Sequence, residues 1–284
     1  HIGTQSGGFK LPIEKGTAGH FLKLKDDDSG DLEFAASSGS SLSLITEVSD
    51  TVEVKGRMNI SSSVNIVGTL SVKGSVSLGD ETTSSGDNST AMGKKTTASD
   101  NFSTAMGYKS TASGWASTAI GRATASGFYS TAMGRGTEAS GYYSTAMGRE
   151  TKASGHTSTA MGYFTKASAH TSTAMGRYTT ASGYISTAMG WKSIASGDYS
   201  TAMGNRTTTL GLNSTAMGMA TKASGESSTA MGHETNAGGK YSTSMGYQTL
   251  SCGTSSIAIG YQSRTNGPYA LAQGYQSYAN GIAS

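Results

Sequence analysis

Ser89-Thr90-Ala91-Met92-Gly93 decides the reading, because the chain restates it at a fixed interval. Marked by the glycine of Ala-Met-Gly, the copies fall at Gly93, Gly107, Gly121, Gly134, Gly148 and onward to Gly274. Every interval is 14 residues except one of 13, between Gly121 and Gly134. Fourteen residues before Gly93 stands Gly79, in Ser77-Leu78-Gly79, so the array starts one unit ahead of the first Met copy. A second glycine usually follows seven residues after the first, as at Gly114, Gly141 and Gly155. The unit reads Ser-Thr-Ala-Met-Gly-x-x-Thr-x-Ala-Ser-Gly-x-x.

A strict short period means one supersecondary unit stacked on copies of itself. Fourteen residues cannot hold two helices and their turns, but they hold two strands of about five residues and two turns. Ser and Thr dominate and Gly punctuates, which favours strand and turn over helix. The expected fold is all-β: a parallel β-roll solenoid with one 14-residue repeat per coil. At about 4.8 Å per coil, the fourteen steps from Gly79 to Gly274 give a rod of roughly 70 Å.

As a strand, Ser-Thr-Ala-Met-Gly puts Ser, Ala and Gly on one face and Thr and Met on the other. Small residues suit a narrow interior, and a long flexible apolar residue suits a gap between subunits. Ala is therefore assigned to the lumen of each roll. A seam between three subunits is assigned to Met92, Met106, Met133, Met147, Met161 and Met175, continued by Met189, Met203, Met217, Met231 and Met245. The swapped faces are the alternative. Either way the column must be covered, since a dozen stacked apolar side chains in water form an aggregating patch.

Ahead of the repeats, the apolar residues from Leu42 to Leu78 are nearly all even-numbered, among them Leu70, Val72 and Val76; only Ile45 and Val67 break the rule. Period two held this far means extended chain with one apolar face, which a lone chain cannot bury. Three chains wound about one axis can, so residues 42–76 read as a trimeric β-stranded shaft. Leu70, Val72 and Leu78 join the seam, and Leu78 occupies the Met position of the first coil. Residues 1–41 read as a tether and a β-hairpin module, Phe21–Lys25 with Asp31–Phe34, and Asp26–Gly30 as the turn. A Ser/Gly joint covers 37–41, and residues 77–284 are the repeat array.

The repeats, with Asn213-Ser214-Thr215-Ala216-Met217-Gly218 and Ser255-Ser256-Ile257-Ala258-Ile259-Gly260 as the closest copies, resemble the head of trimeric autotransporter adhesins of the Yersinia-adhesin type. That resemblance implies a left-handed parallel β-roll, three rolls packed about a threefold axis, and an adhesive role at a surface. Gly16–Leu22 followed by Gly30–Phe34 resembles a short module of phage and large-virus tail fibres. Met in place of the usual small branched aliphatic departs from the adhesin pattern, and no neck motif, heptads or anchor barrel is readable. The chain opens on His1 and stops at Ser284 in mid-coil, so both ends read as cuts.

A net charge of +3 is too weak to argue for nucleic acid or a membrane surface. Few charged residues and 40 Gly would fit disorder, but the fixed period and apolar column oppose it. The single Cys252 allows no intrachain disulfide. No signal peptide or transmembrane run is present. No nucleophile–base pair, phosphate loop or paired-carboxylate site is readable, so no enzyme and no cofactor is expected. His156 and His170 recur on adjacent coils, but two ligands do not make a metal site.

Binding is expected at the turns. The residue after each marker glycine forms a ladder that includes Arg122, Arg135, Arg149, Tyr163, Arg177 and Trp191; a second ladder, eight and nine residues after it, includes Trp115, Tyr142 and Tyr143. Arginines and aromatics about 5 Å apart suit cation–π stacking and contact with sugars or an extended protein. Stacking of neighbouring turns for stability alone is the plainer alternative. The sequence thus points to a homotrimeric, extracellular structural fibre, on a cell or virion surface, that attaches its carrier to a host surface protein or glycan. A phage or viral tail-fibre segment, or an architectural spacer, is the alternative.

Overall fold

The computed structural model describes residues 21–24, 32–35, 72 and 74–281. The chain divides into two units, residues 1–70 and 71–284. In the first, Phe21–Leu24 pairs antiparallel with Leu32–Ala35, with Leu22 opposite Phe34 and Lys23 opposite Glu33. These are the two arms of the expected hairpin. Its Asp26–Gly30 turn, the joint at 37–41, Leu70 and nearly all of the expected shaft lie outside the described residues.

The second unit is a parallel β-solenoid of fifteen coils, with no helix among the described residues. The coil Ser158–Thr171 stands for the rest. A long strand, Thr159–Tyr163, is followed by a short one, Lys166–Ala167. Each rung faces its own kind: Ala160 lies between Ala146 and Ala174, and Met161 between Met147 and Met175. Amides of one coil donate to carbonyls of the next, as Thr159 N–H does to Ser172 O and Lys166 N–H to Thr179 O, both at 2.9 Å. The backbone of each described coil is thereby paired with that of its neighbours, which leaves no bare sheet edge along the stack.

The lumen holds the small side chains, as the alternation predicts. Ala160 and Ala167 are fully buried, as are Ser158 and the equivalent Ala, Ser and Thr residues of nearly every coil. Among the described residues no fully buried side chain is larger than threonine. The Ser hydroxyls return to the turn carbonyl three residues back: Ser144 Oγ donates to Gly141 O at 2.7 Å and Ser214 Oγ to Gly211 O at 2.6 Å. Methionine faces outward and is half-buried by its own neighbours in the column, with Met147 still 37% exposed. Val72 and Leu78 are about half exposed in the single chain.

The marker glycine departs from simple alternation. Gly162 does not face the lumen; it is exposed, with φ near +125°. There the strand reverses its facing, and Thr165 then turns into the lumen. A Cβ on Gly162 would stand 2.0 Å from the carbonyl oxygen of Gly176 in the next coil. Two corners per coil take the left-handed conformation, at Phe164 (φ 52°) and Thr171 (φ 53°) in this coil. Their N–H groups reach the carbonyls of the preceding coil, Arg149 and His156, which stacking forces into register. Residues as bulky as Tyr143 and Ile185 are held there despite their ordinary preference.

In the 13-residue coil the missing residue is the first left-handed corner. Thr118–Ala125 runs as one strand, and Ala123 drops into the lumen. The following strand, Thr131–Ala139, absorbs the difference with a register shift between Arg135 and Thr137. Beyond it Arg135 faces Arg149 and Ala139 faces Ala153 in normal register, so the length change stays within one turn, as expected.

Candidate functional site

Two faces and two edges result, and they differ in chemistry. The outer face of the long-strand sheet carries the Thr and Met columns. Across all fifteen coils none of its thirty outward positions is charged, from Val76 and Leu78 through Thr159 and Met161 to Leu271 and Gln273. The outer face of the short-strand sheet is polar and carries Glu138, Lys152, Lys166, Lys222 and Arg264. The bulky residues stand at the turns.

Arg122, Arg135, Arg149, Tyr163, Arg177 and Trp191 form one continuous in-register ladder at the first turn. Arg149 and Arg177 bracket the Tyr163 ring at 5.3 and 5.4 Å from its centroid. Lys192 and Arg206 lie over Trp191 at 4.6 and 5.0 Å. Farther along the same edge the ladder becomes uncharged. His233, Tyr247, Tyr261 and Tyr275 stack with centroids 4.8–5.0 Å apart. Gln248, Gln262 and Gln276 join side chain to side chain at 2.8 and 3.0 Å.

Trp115, Tyr142 and Tyr143 lie on the other edge, apart from the arginine ladder. Phe128, Tyr142, His156 and His170 stack nearly parallel, and Tyr129 stacks on Tyr143 at 5.1 Å. Trp115 meets Tyr129 edge to face at 4.8 Å. Ring faces are thus covered within the chain, and hydroxyls and ring edges look outward. The two imidazoles stand 4.9 Å apart and parallel within 2°, each Nδ1 hydrogen-bonded to the adjacent threonine, Thr157 or Thr171. Parallel rings do not aim their nitrogens at one point, and no group of three metal-ligating side chains occurs among the described residues.

Charge is partly neutralised along the edges. Lys94 pairs with Asp80 at 2.9 Å, Lys95 with Glu81 at 3.3 Å, and Lys152 with Glu138 at 2.8 Å. Lys240 pairs with Glu226 at 2.8 Å. The hydrogen bond to Glu226, and then one to Tyr241, pushes this exposed ammonium above the usual lysine range, so that cation is occupied within the chain. Arg122, Arg135, Arg149 and Arg177 have no carboxylate partner among the described residues.

The sequence reading missed one feature. Where the 13-residue coil lacks its corner, an open notch of about 480 Å³ forms, lined by Lys109, Arg122, Thr124, Glu138, Glu150 and the Gly136–Thr137 backbone. Gly136 is the one glycine at that corner in the whole array, so deletion and missing side chain fall on adjacent coils. That coincidence was the available signal.

Stacked parallel coils with a small-residue lumen and ornamented turns define a parallel β-solenoid. The family model described as YadA head domain repeat, in two copies, matches the chain eleven times from residue 73 to residue 277, interrupted only at 152 and 250–252. The chain belongs to that family: it is a YadA-like adhesin head built of 14-residue coils. Nothing in the match extends to the hairpin module, and the tail-fibre resemblance there stays an expectation. A search of curated proteins returns no match. No helix among the described residues is long and apolar enough to cross a membrane.

Proposed function

We propose that three copies of the chain pack through the uncharged Thr/Met face, and that the resulting head attaches its carrier to a host surface protein or glycan through its turn ladders. One observation carries the trimer. Nothing larger than threonine is fully buried inside the coil, while an outward column of Met and Ile runs its length on a face without a single charge. Burying a methyl group contributes only about 0.8 kcal/mol, so an Ala-lined lumen gives modest hydrophobic stabilisation. The larger apolar reserve lies outside and needs a partner. Identical chains meeting in closed cyclic symmetry supply one of matching length and pattern.

The same assembly repeats each turn ladder three times, which raises avidity without any deep pocket. Membership of the YadA head family supports a location outside the cell, at a surface. The test is saturable binding of the full chain to arrays of extracellular-matrix proteins and glycans and to whole host cells. Selective binding to a subset is expected. Uniform background on every ligand and cell would leave an architectural spacer instead.

A further inference from the structure

The cations of the chain are not spread evenly. Nine of the 21 Lys and Arg stand at the two positions after the marker glycine between Lys94 and Arg206, against one carboxylate there, Glu150. The rest of the chain keeps twelve cations and 17 of the 18 acids. A modest net charge of +3 therefore hides one strongly basic edge on an otherwise acidic molecule. Lys94 and Lys95 have carboxylate partners; Lys109, Arg122, Arg135, Arg149 and Arg177 have no carboxylate partner among the described residues, though Lys109, Arg149 and Arg177 lie over tyrosine rings. All five are exposed.

Elsewhere on this edge the ladders satisfy themselves: Gln bonds Gln and Tyr stacks on Tyr. Arg122, Arg135 and Arg149 are set directly opposite one another instead, where like charges oppose pairing. Such a column is relieved by an external anion. Seven of the eight coils from Lys109 to Arg206 carry a cation, the Tyr163–Phe164 coil being the exception, at a rise of about 4.8 Å per coil over roughly 35 Å. The notch between Lys109 and Arg122 opens toward the N-terminal end of the basic coils and leaves room for a bulky substituent. Its two carboxylates do not close it: Glu138 is held by Lys152, and the Glu150 side chain lies over Gly136.

From this we infer that the edge from Lys109 to Arg206 binds a linear acidic polysaccharide, one carrying carboxylate or sulfate along an extended chain, laid parallel to the solenoid axis. The inference rests on the adhesive reading above and names its ligand class. A sugar of an acidic polysaccharide can carry more than one carboxylate or sulfate, so charge stays dense on the side that meets the edge even where successive sugars alternate in facing. An extended acidic peptide presents like-facing side chains only every second residue, about 6.6 Å apart, and misses the rungs. A single-stranded nucleic acid needs exposed ring faces for its bases. Here the faces of Tyr163 and Trp191 are covered by Arg149, Arg177, Lys192 and Arg206.

The test uses the full chain with heparin, polygalacturonate, dextran and a single-stranded DNA oligomer as probes. Heparin measures sulfate recognition and polygalacturonate measures carboxylate recognition; binding of either is expected, with none to dextran. The triple variant Arg122→Gln, Arg135→Gln, Arg149→Gln is expected to lose at least about tenfold in affinity at physiological salt. Its slope of log K against log salt should fall by about 2–3, on the scale of 0.7–0.9 per neutralised anion known for nucleic acids. Its melting temperature should be unchanged or higher, because a like-charge column is removed. Lys166→Gln with Lys222→Gln, on the short-strand face, should leave binding intact. The inference fails if neither acidic polymer binds, if DNA binds as well as both, if the triple variant binds normally, or if the control pair loses as much. Cell or matrix binding that persists without polysaccharide binding overturns this inference and leaves the adhesive reading standing.

Discussion

Gly162 and Gly155 answer to different constraints. Both would place a Cβ at about 2 Å from the next coil's backbone. Gly162 also has φ near +125°, a region closed to side chains, and every coil repeats a glycine there. Gly155 has an ordinary φ, and the next coil carries Ala169 in the equivalent place, so that backbone already accommodates a methyl. Gly162→Ala is therefore expected to cost about 3 kcal/mol or more, and Gly155→Ala about 1 kcal/mol. Equal losses in thermal unfolding would contradict this account of the marker. Threonine in the lumen gives a second expectation. The Thr165 hydroxyl is buried with no partner within the chain, whereas Thr207 Oγ1 donates to Ser193 Oγ at 2.9 Å. Thr165→Val should stabilise by about 1 kcal/mol, and Thr207→Val should destabilise by about as much. A clear loss at Thr165 would mean its hydroxyl is bonded after all.

At the scale of the element, the coil is where sequence reading was strongest and also where it stopped. Period fixes the rungs, so the facing of Ala160 on Ala174 and the all-β class were both legible in the spacing alone. Lumen and exterior followed from strand alternation, because only Ala, Ser and Thr fit between two strands this close. The reversal at Gly162 was not legible, since alternation assumes unbroken β geometry and a φ near +125° ends it. The left-handed corners were hidden for a related reason: Tyr143, Thr157 and Ile185 are poor markers of positive φ, and stacking overrides their preference. Of the candidate sites, the arginine ladder was legible as a column, but its separation from Trp115 and Tyr142 needed the coil's two ends to be told apart. The notch was written as a 13-residue interval beside Gly136 and read only as tolerated damage. Inserting Asn between Arg122 and Ala123 should restore the corner and close the notch. The melting midpoint should rise by about 2 °C and amide exchange near residues 121–125 should slow. A lower midpoint would show that the short coil is not the strained member of the array.

For the whole molecule, the deciding contrast is between a core of methyl and hydroxyl groups and an exterior column of methionines. The outward Thr and Met positions of the sheet bearing Met147 and Met161 carry no charge, while the outer face of the opposite sheet does. That asymmetry is the ground on which we propose the Thr/Met face as the seam and the decorated edges as the surface for ligand. Buried methionines truncated to alanine cost about 2–5 kcal/mol each, so Met147→Ala with Met161→Ala should weaken the assembly measurably, and lysines there should break it. The most direct measurement is sedimentation equilibrium of the full chain beside its Met147→Lys, Met161→Lys variant. The expected result is a wild-type species three times the 28.9 kDa chain mass that falls to the single-chain mass with the two lysines. A wild type that sediments as one chain at micromolar concentration, or a trimer indifferent to both lysines, would contradict the seam.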